Sequence, residues 1–148
     1  MRYTVSADAN VFLDGLLQRG IMGVAALEII ELGEQNKLAL FISSSNLLNV
    51  ISFLKKVNKT NYEITFLVKN LLSFTTINSP DNSIFINALD AEFSDIEDAV
   101  QYHTALQIKG VDYFITSNVK DFKKASARLP VVTPTQFLSN YNKTRTTK

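Results

Sequence analysis

Hydrophobic positions along this chain follow two alternating patterns, one typical of strands and one typical of helices. Short apolar runs of strand length occur at 2–7, 38–42, 74–77, 112–116 and 131–132. Between these runs, apolar residues recur every three or four positions, which predicts amphipathic helices. Strands that alternate with helices imply right-handed crossovers. The pattern therefore predicts an α/β fold with a central parallel sheet of about five strands and helices on both faces.

Three local signals predict where helices begin. The short polar side chains at 43–46 can accept hydrogen bonds from the amides of a first turn, so a helix is expected there. Ser94 and Glu97 match the capping-box spacing of a helix late in the chain. Pro134 favours the start of a last helix, which we expect to end at Tyr141.

Length and composition fit one domain. The chain has 148 residues and is 46% hydrophobic, enough for one well-filled core. We expect the domain to span 1–141 and the polar tail at 142–148 to be disordered. The absence of cysteine excludes disulfides, thiolate zinc sites and cysteine nucleophiles. Neither a secretory signal nor a convincing membrane span is evident, so a soluble, cytoplasmic protein with no membrane partner is expected.

Overall charge gives no sign of a polyanion partner. Fifteen Lys and Arg residues stand against fourteen Asp and Glu residues, so any nucleic acid must be met by a local patch. Seven basic residues are candidates for such a patch. They either border a cleft and contact RNA or form an ordinary solvated face. These residues are Lys55, Lys56, Lys59 and Lys69, with Lys143, Arg145 and Lys148 in the tail.

Four aspartates stand where predicted strands and helices meet. Asp8 closes the first strand, Asp95 and Asp98 open the helix after 94, and Asp121 follows the strand at 112–116. If these strands are parallel neighbours, the carboxylates converge at one edge of the sheet. Oxygen clusters of this kind hold hard divalent cations such as Mg²⁺ or Mn²⁺. An ordinary helix cap is the alternative role for Asp95.

Asp8 and Asp98 are the stronger candidates for metal ligands. Each is predicted near the core, where a carboxylate needs a partner. The local sequence offers neither of them a Lys or Arg, and a shared cation would neutralise both.

Four segments in order carry a resemblance to a known family. They are 8–14 (DANVFLD), 94–101 (SDIEDAVQ), 116–122 (TSNVKDF) and 131–138 (VVTPTQFL). Together they span nearly the whole chain. The chain resembles the PIN-domain ribonucleases, and especially the VapC-like toxins of bacterial toxin-antitoxin pairs.

The resemblance implies a role for particular residues. The first metal-binding aspartate of the family falls on Asp8, with Asn10 as its usual neighbour, and the third acidic position falls on Asp98. The second position, usually glutamate, is Asn49, and the fourth, commonly aspartate, is Asn118. At these two positions, where the resemblance implies an acidic side chain, this chain therefore has a neutral amide.

Other polar residues complete the expected site. Asp95 and Asp121 are expected to supply the missing charge as further catalytic and metal-binding residues. Thr116 and Ser117 are expected to contact the site or the scissile phosphate, or else to be ordinary turn residues. Asp14 is expected to be a surface or orienting residue. The single histidine, His103, is expected to be structural or solvent-facing.

The resemblance implies a Mg²⁺- or Mn²⁺-dependent endoribonuclease that acts as the toxin of a type II toxin-antitoxin system. It further implies a homodimer held by the early helices and an antitoxin that covers the cleft. A catalytically impaired PIN fold that binds RNA or protein remains the alternative, because of Asn49 and Asn118. A receiver domain is excluded, since it needs paired acids after the first strand, and a Rossmann domain is excluded by the lack of a glycine-rich loop.

Overall fold

The computed structural model describes residues 2–122 and 128–146. Within these ranges, five strands form one sheet: β1 (Tyr3–Ala7), β2 (Leu38–Ser43), β3 (Thr75–Asn78), β4 (Tyr113–Ile115) and β5 (Val131–Val132). The helices are α1 (Ala9–Leu16), α2 (Gly23–Glu34), α3 (Ser44–Lys56), α4 (Asn61–Leu72), α5 (Asn82–Asp90), α6 (Ile96–Leu106) and α7 (Pro134–Thr146). A short 3-10 helix, Val119–Phe122, follows β4. No helix in the described ranges is long and apolar enough to cross a membrane.

All five strands run parallel, in the order β3-β2-β1-β4-β5, which confirms the predicted α/β fold. In this register, Val5 of β1 stands opposite Leu40 of β2 and Tyr113 of β4. The chain moves outward from β1 to β3 and then returns to the other side of β1 as β4. The strand order therefore reverses between β1 and β4, where a crevice is expected at the carboxyl ends of the strands.

Hydrophobic side chains cover both faces of the sheet, as the sequence predicts. Neighbouring residues of a strand point to opposite faces. Ile115 of β4 belongs to the larger core cluster, together with Val5 of β1. Phe114 belongs to a second cluster with Tyr102 of α6 and Phe122. The helix α6, which carries the predicted acidic residues, is thus fixed to the sheet by an aromatic core.

The last helix does not end at Tyr141 as predicted. It continues to Thr146, through the first part of the segment that was expected to form a disordered tail. The hydroxyls of Tyr3 and Thr144 lie 2.9 Å apart, and the Arg145 guanidinium lies 5.5 Å from the centre of the Tyr141 ring. The contact with Tyr3 ties the end of α7 to β1 and could not be read from the local sequence. Lys148 lies outside the described residues.

Candidate active site

The point where strand order reverses holds two of the predicted side chains. Asp8 directly follows β1, and Thr116 directly follows β4. The Asp8 amide donates a hydrogen bond to the Ile115 carbonyl, at 3.1 Å, and the Thr116 hydroxyl donates to Oδ2 of Asp8. Thr116 is fully buried. The two strand ends therefore hold the Asp8 carboxylate in one orientation.

Asp8 is also the cap of α1. Its Oδ1 accepts a hydrogen bond from the Val11 amide at 3.1 Å. Burial raises the pKa of Asp8, although the bonds from Thr116 and Val11 act in the opposite direction; the negative charge of Asp14 raises it further. A carboxylate oxygen can accept more than one bond, so the cap leaves acceptor capacity on Asp8 for a cation.

The helix α6 begins one residue later than the predicted capping box would place it. Asp95, not Ser94, is the cap, since its Oδ1 accepts the hydrogen bond of the Asp98 amide at 3.1 Å. An aspartate caps a helix as well as a serine does, and the chain geometry decides between neighbouring candidates. Asp98 consequently stands in the first turn of α6, with its side chain half-buried.

Negative charge concentrates around Asp98. Burial and the neighbouring carboxylates of Asp95, Asp121, Asp8 and Glu97 raise the pKa of Asp98 to about 6. The other three predicted aspartates are thus all within electrostatic reach of Asp98. A like-charge cluster that disfavours ionisation is a common property of functional sites.

A cleft of about 350 Å³ opens over these residues. It brings together most of the predicted site, namely Asp8, Asn10, Asn49, Asp98, Thr116 and Asn118. Asp95, Ser117 and Asp121 are not among its lining residues. The predicted four-aspartate site therefore divides into two carboxylates that face the cleft and two that act on it through their charge.

Three polar residues of the cleft were not anticipated, namely Asn46, Ser52 and Gln101. Asn46 of α3 is 2% exposed, and its Oδ1 has no hydrogen-bond partner. Gln101 of α6 also lines the cleft. An unpaired buried polar atom costs about 1–3 kcal/mol. The available signal was spacing, because Asn46 and Asn49 are three residues apart and so lie on one side of α3.

The cleft fits a hard divalent cation with few protein ligands. Within residues 2–122 and 128–146, no three Asp, Glu or His side chains are close enough to form a complete ligand set. Mg²⁺ commonly binds through one or two carboxylates and keeps several waters. Asp8 and Asp98 line the cleft with two carboxylates, and Asn46, whose buried Oδ1 has no hydrogen-bond partner, lines it as well.

The family-model comparison decides the classification. A model described as "PIN domain" matches residues 4–120. The chain belongs to the PIN domain family. A search of curated proteins gave no significant match.

Solved structures share the fold at low sequence identity. VapBC2 from Rickettsia felis, bound to a DNA fragment from its promoter, has 15% identity and a TM-score of 0.65, over 88% of this chain and 98% of that one. PAE2754 from Pyrobaculum aerophilum has 14% identity and a TM-score of 0.58, over 93% and 88%. VapC20 from Mycobacterium tuberculosis, a Sarcin-Ricin loop cleaving toxin, has 11% identity and a TM-score of 0.56, over 74% and 86%. Such likeness shows a common fold.

Asn118 and Asp121 of this PIN domain form a linked pair beside the cleft. The Asn118 amide donates to the Thr116 hydroxyl oxygen at 3.1 Å, and its side-chain Nδ2 donates to the Asp121 carboxylate. Asp121 is therefore held by Asn118. Its contribution to the cleft is the negative charge that it places near Asp98.

Of the four candidate cations on α3, on α4 and between them, Lys56 lines the cleft. Lys59 instead lies 3.9 Å from Glu63 in a surface ion pair, and Lys55 and Lys69 are exposed elsewhere on α3 and α4. The cleft of the PIN domain thus combines two carboxylates with one cation at its edge.

Asp14 and His103 lie outside this cleft. The Asp14 carboxylate accepts a hydrogen bond from Nε of Arg19 at 2.8 Å. The His103 ring packs 6.0 Å from the Tyr102 ring, and burial lowers the pKa of His103. Both placements agree with the orienting and structural roles that the sequence predicts.

Proposed function

We propose that this PIN domain is a divalent-metal-dependent endoribonuclease that hydrolyses RNA phosphodiester bonds. The observation that carries the proposal is that Asp8 and Asp98 face one cleft at the point where strand order reverses. Within the described residues, neither carboxylate takes part in an ion pair. Their raised pKa values show that the folded chain disfavours two negative charges there, which a divalent cation would relieve.

Five residues of the cleft have a role in the proposed reaction. Asp8 and Asp98 would hold Mg²⁺ or Mn²⁺, with an amide oxygen of Asn46 as a further donor. Such an ion lowers the pKa of bound water and stabilises the charge that grows on the phosphate. Thr116 keeps Asp8 in place through its hydrogen bond. Lys56 offers a positive charge to the substrate phosphate at the edge of the cleft.

The cellular role that we infer is the toxin of a type II toxin-antitoxin system. Support comes from the PIN domain and from its structural likeness to VapBC2 and VapC20. We further infer a cognate antitoxin and a homodimer formed through the early helices. Ile21 and Val24, near the start of α2, are 97% and 81% exposed, as expected for apolar residues that a second subunit covers.

A catalytically impaired PIN fold that binds RNA or protein is the second candidate. Two observations favour it: the amides Asn49 and Asn118 stand at positions where acids are expected, and the described residues lack a three-acid cluster. An amide oxygen attracts a cation less than a carboxylate does, so metal affinity would be lower.

Cleavage of a mixed RNA pool by the purified protein separates the two candidates. The protein is incubated with Mg²⁺ or Mn²⁺, beside a chelator control and an Asp98→Asn variant. Asp90→Asn is the matched control, because Asp90 is an exposed aspartate at the end of α5, outside the cleft. We expect cleavage by the wild type and by Asp90→Asn, and none with chelator or with Asp98→Asn. Equal inactivity of all proteins with both metals would favour the binding module.

A further inference from the structure

A second cavity of about 280 Å³ adjoins the candidate active site. It lies between the start of α3, one residue of α5 and the exposed side of α6. Asn49 and Gln101 line both cavities. A polymer whose backbone passes Asp8 and Asp98 would therefore bring its next chemical group to this second cavity.

The lining of the second cavity is partly apolar and partly polar. Phe85 of α5 and Ile96 and Val100 of α6 are its apolar residues, whereas Ser45, Asn49 and Gln101 supply neutral hydroxyl and amide groups. Its one charged lining residue among those described is Glu97, an anion. The cavity therefore disfavours a phosphate and suits a flat, neutral group that carries hydrogen-bond donors and acceptors at its edge.

Exposed apolar surface marks the same place. The side chains of Phe85 and Ile96 are 46% and 60% exposed, although both lie beside a deep polar cleft. Aromatic side chains exposed next to a nucleic-acid path typically stack on unpaired bases, and such stacking tolerates any base. The amides of Asn49 and Gln101 can donate and accept, so they can bond the edge of a stacked base.

We propose that this second cavity, here called the base pocket, receives one unpaired nucleobase adjacent to the phosphodiester bond held near Asp8 and Asp98. The proposal rests on the nucleic-acid function inferred above and adds to it a contact with one base of the substrate. A base inside a duplex is stacked and paired, so it cannot enter the pocket. Phe85 is the stacking residue, and Asn49 and Gln101 give whatever base preference the pocket has.

The test is equilibrium binding in Mg²⁺ to fluorescent RNA oligonucleotides, in an Asp98→Asn background that prevents cleavage. One series of oligonucleotides lacks a single base at successive positions. The protein variants are Phe85→Ala, Phe85→Trp and, as matched control, Ile86→Ala, since Ile86 is 59% exposed on α5 but does not line the pocket. Thermal melting of each variant checks its folding.

We expect Phe85→Ala to weaken binding about tenfold, as loss of one stacked base does. For the protein that keeps Phe85, removal of the base at one position of the RNA should weaken binding equally. Phe85→Ala combined with that abasic RNA should weaken binding no further. Phe85→Trp and Ile86→Ala should bind normally. Additive losses, or equal binding of the matching duplex, would overturn the base pocket. If the wild type cleaves RNA but Phe85→Ala and every abasic oligonucleotide behave normally, only the base pocket fails. If the protein without the Asp98→Asn change neither cleaves nor binds RNA in Mg²⁺, the proposed function fails with it.

Discussion

Two helix caps in this molecule use the same local geometry in very different surroundings. Asp8 caps α1 and Asp95 caps α6, and in each case Oδ1 accepts the amide three residues later at 3.1 Å. Asp8 follows a central strand and its pKa is raised by burial, whereas Asp95 is exposed at the rim of the cleft. The comparison shows that position in the sheet, and not the cap itself, brings a carboxylate into the candidate site.

Two single variants, Asp8→Asn and Asp95→Asn, test this comparison most directly. Asparagine caps a helix as well as aspartate, so both variants should keep their folds. We expect Asp8→Asn to lower kcat/KM for RNA cleavage more than 100-fold, because even residues that only orient a metal ligand change activity by about 10–100-fold. Asp95→Asn should lower it less than about tenfold. Equal losses in steady-state cleavage assays would show that the two caps are equivalent.

Among the described residues, the hydrogen bond from Thr116 to Asp8 has no counterpart at Asp95. Thr116→Val removes the hydroxyl at nearly constant volume, and it leaves the Asn118 amide without its acceptor. We expect a loss of about 1.5–3 kcal/mol in the free energy of unfolding, as for bonds to charged groups, measured by urea denaturation. Thr116→Ser keeps the hydroxyl and is the control. If Thr116→Val were as stable as Thr116→Ser, the hydrogen bond from residue 116 to Asp8 would not contribute to stability.

An additional negative charge on the α3 side of the cleft should raise the metal affinity of a site that now depends on Asp8 and Asp98. Asn49→Glu restores the acid expected of the family, and Asn49→Gln is the neutral control of equal length. We expect the glutamate to tighten Mn²⁺ binding on the order of tenfold by calorimetry, because affinity grows with the number of charged ligands. Unchanged affinity would place Asn49 outside the ligand set and leave its role in the base pocket.

The strand ends could be predicted from sequence because apolar runs fix them closely. Asp8 and Thr116 therefore fell where the sequence predicted, and Asp98 followed from the helical spacing of α6. Asn46 was missed because its burial depends on how α3 packs against β2 and the cleft, which no local pattern reveals. The end of α7 was missed for the same reason, since its contact with Tyr3 joins the two ends of the chain.

Tertiary context also separated residues that the sequence grouped together. The four aspartates look alike along the chain, and all of them influence the charge around Asp98. Two line the cleft, one caps α6 at the rim, and Asp121 is bound by Asn118. Charge acts over several ångströms, whereas metal ligation requires contact, so a sequence pattern can predict the first more easily than the second.

The smallest expected effect is on the free energy of unfolding, through the charge of Asp98. The pKa of Asp98 rises from 3.8 to about 6 in the folded chain, so its ionised form disfavours folding. The penalty is absent below about pH 4, grows up to about pH 6 and stays constant above it. Converting the whole pKa shift to free energy gives a penalty of about 3 kcal/mol. Solvent screening of this half-buried group reduces the penalty to about 1 kcal/mol.

Asp98→Asn should therefore be about 1 kcal/mol more stable than the wild type at pH 7 in chelator, and equal to it at pH 4. Urea denaturation at the two pH values measures the difference, with Asp90→Asn as an exposed control that should show none. Saturating Mn²⁺ should reverse the order at pH 7, because a cation bound to the folded wild type stabilises it by mass action. A wild type that is the more stable protein in chelator at pH 7 would mean that Asp98 has a stabilising partner, and the argument for a shared cation would lose its electrostatic basis.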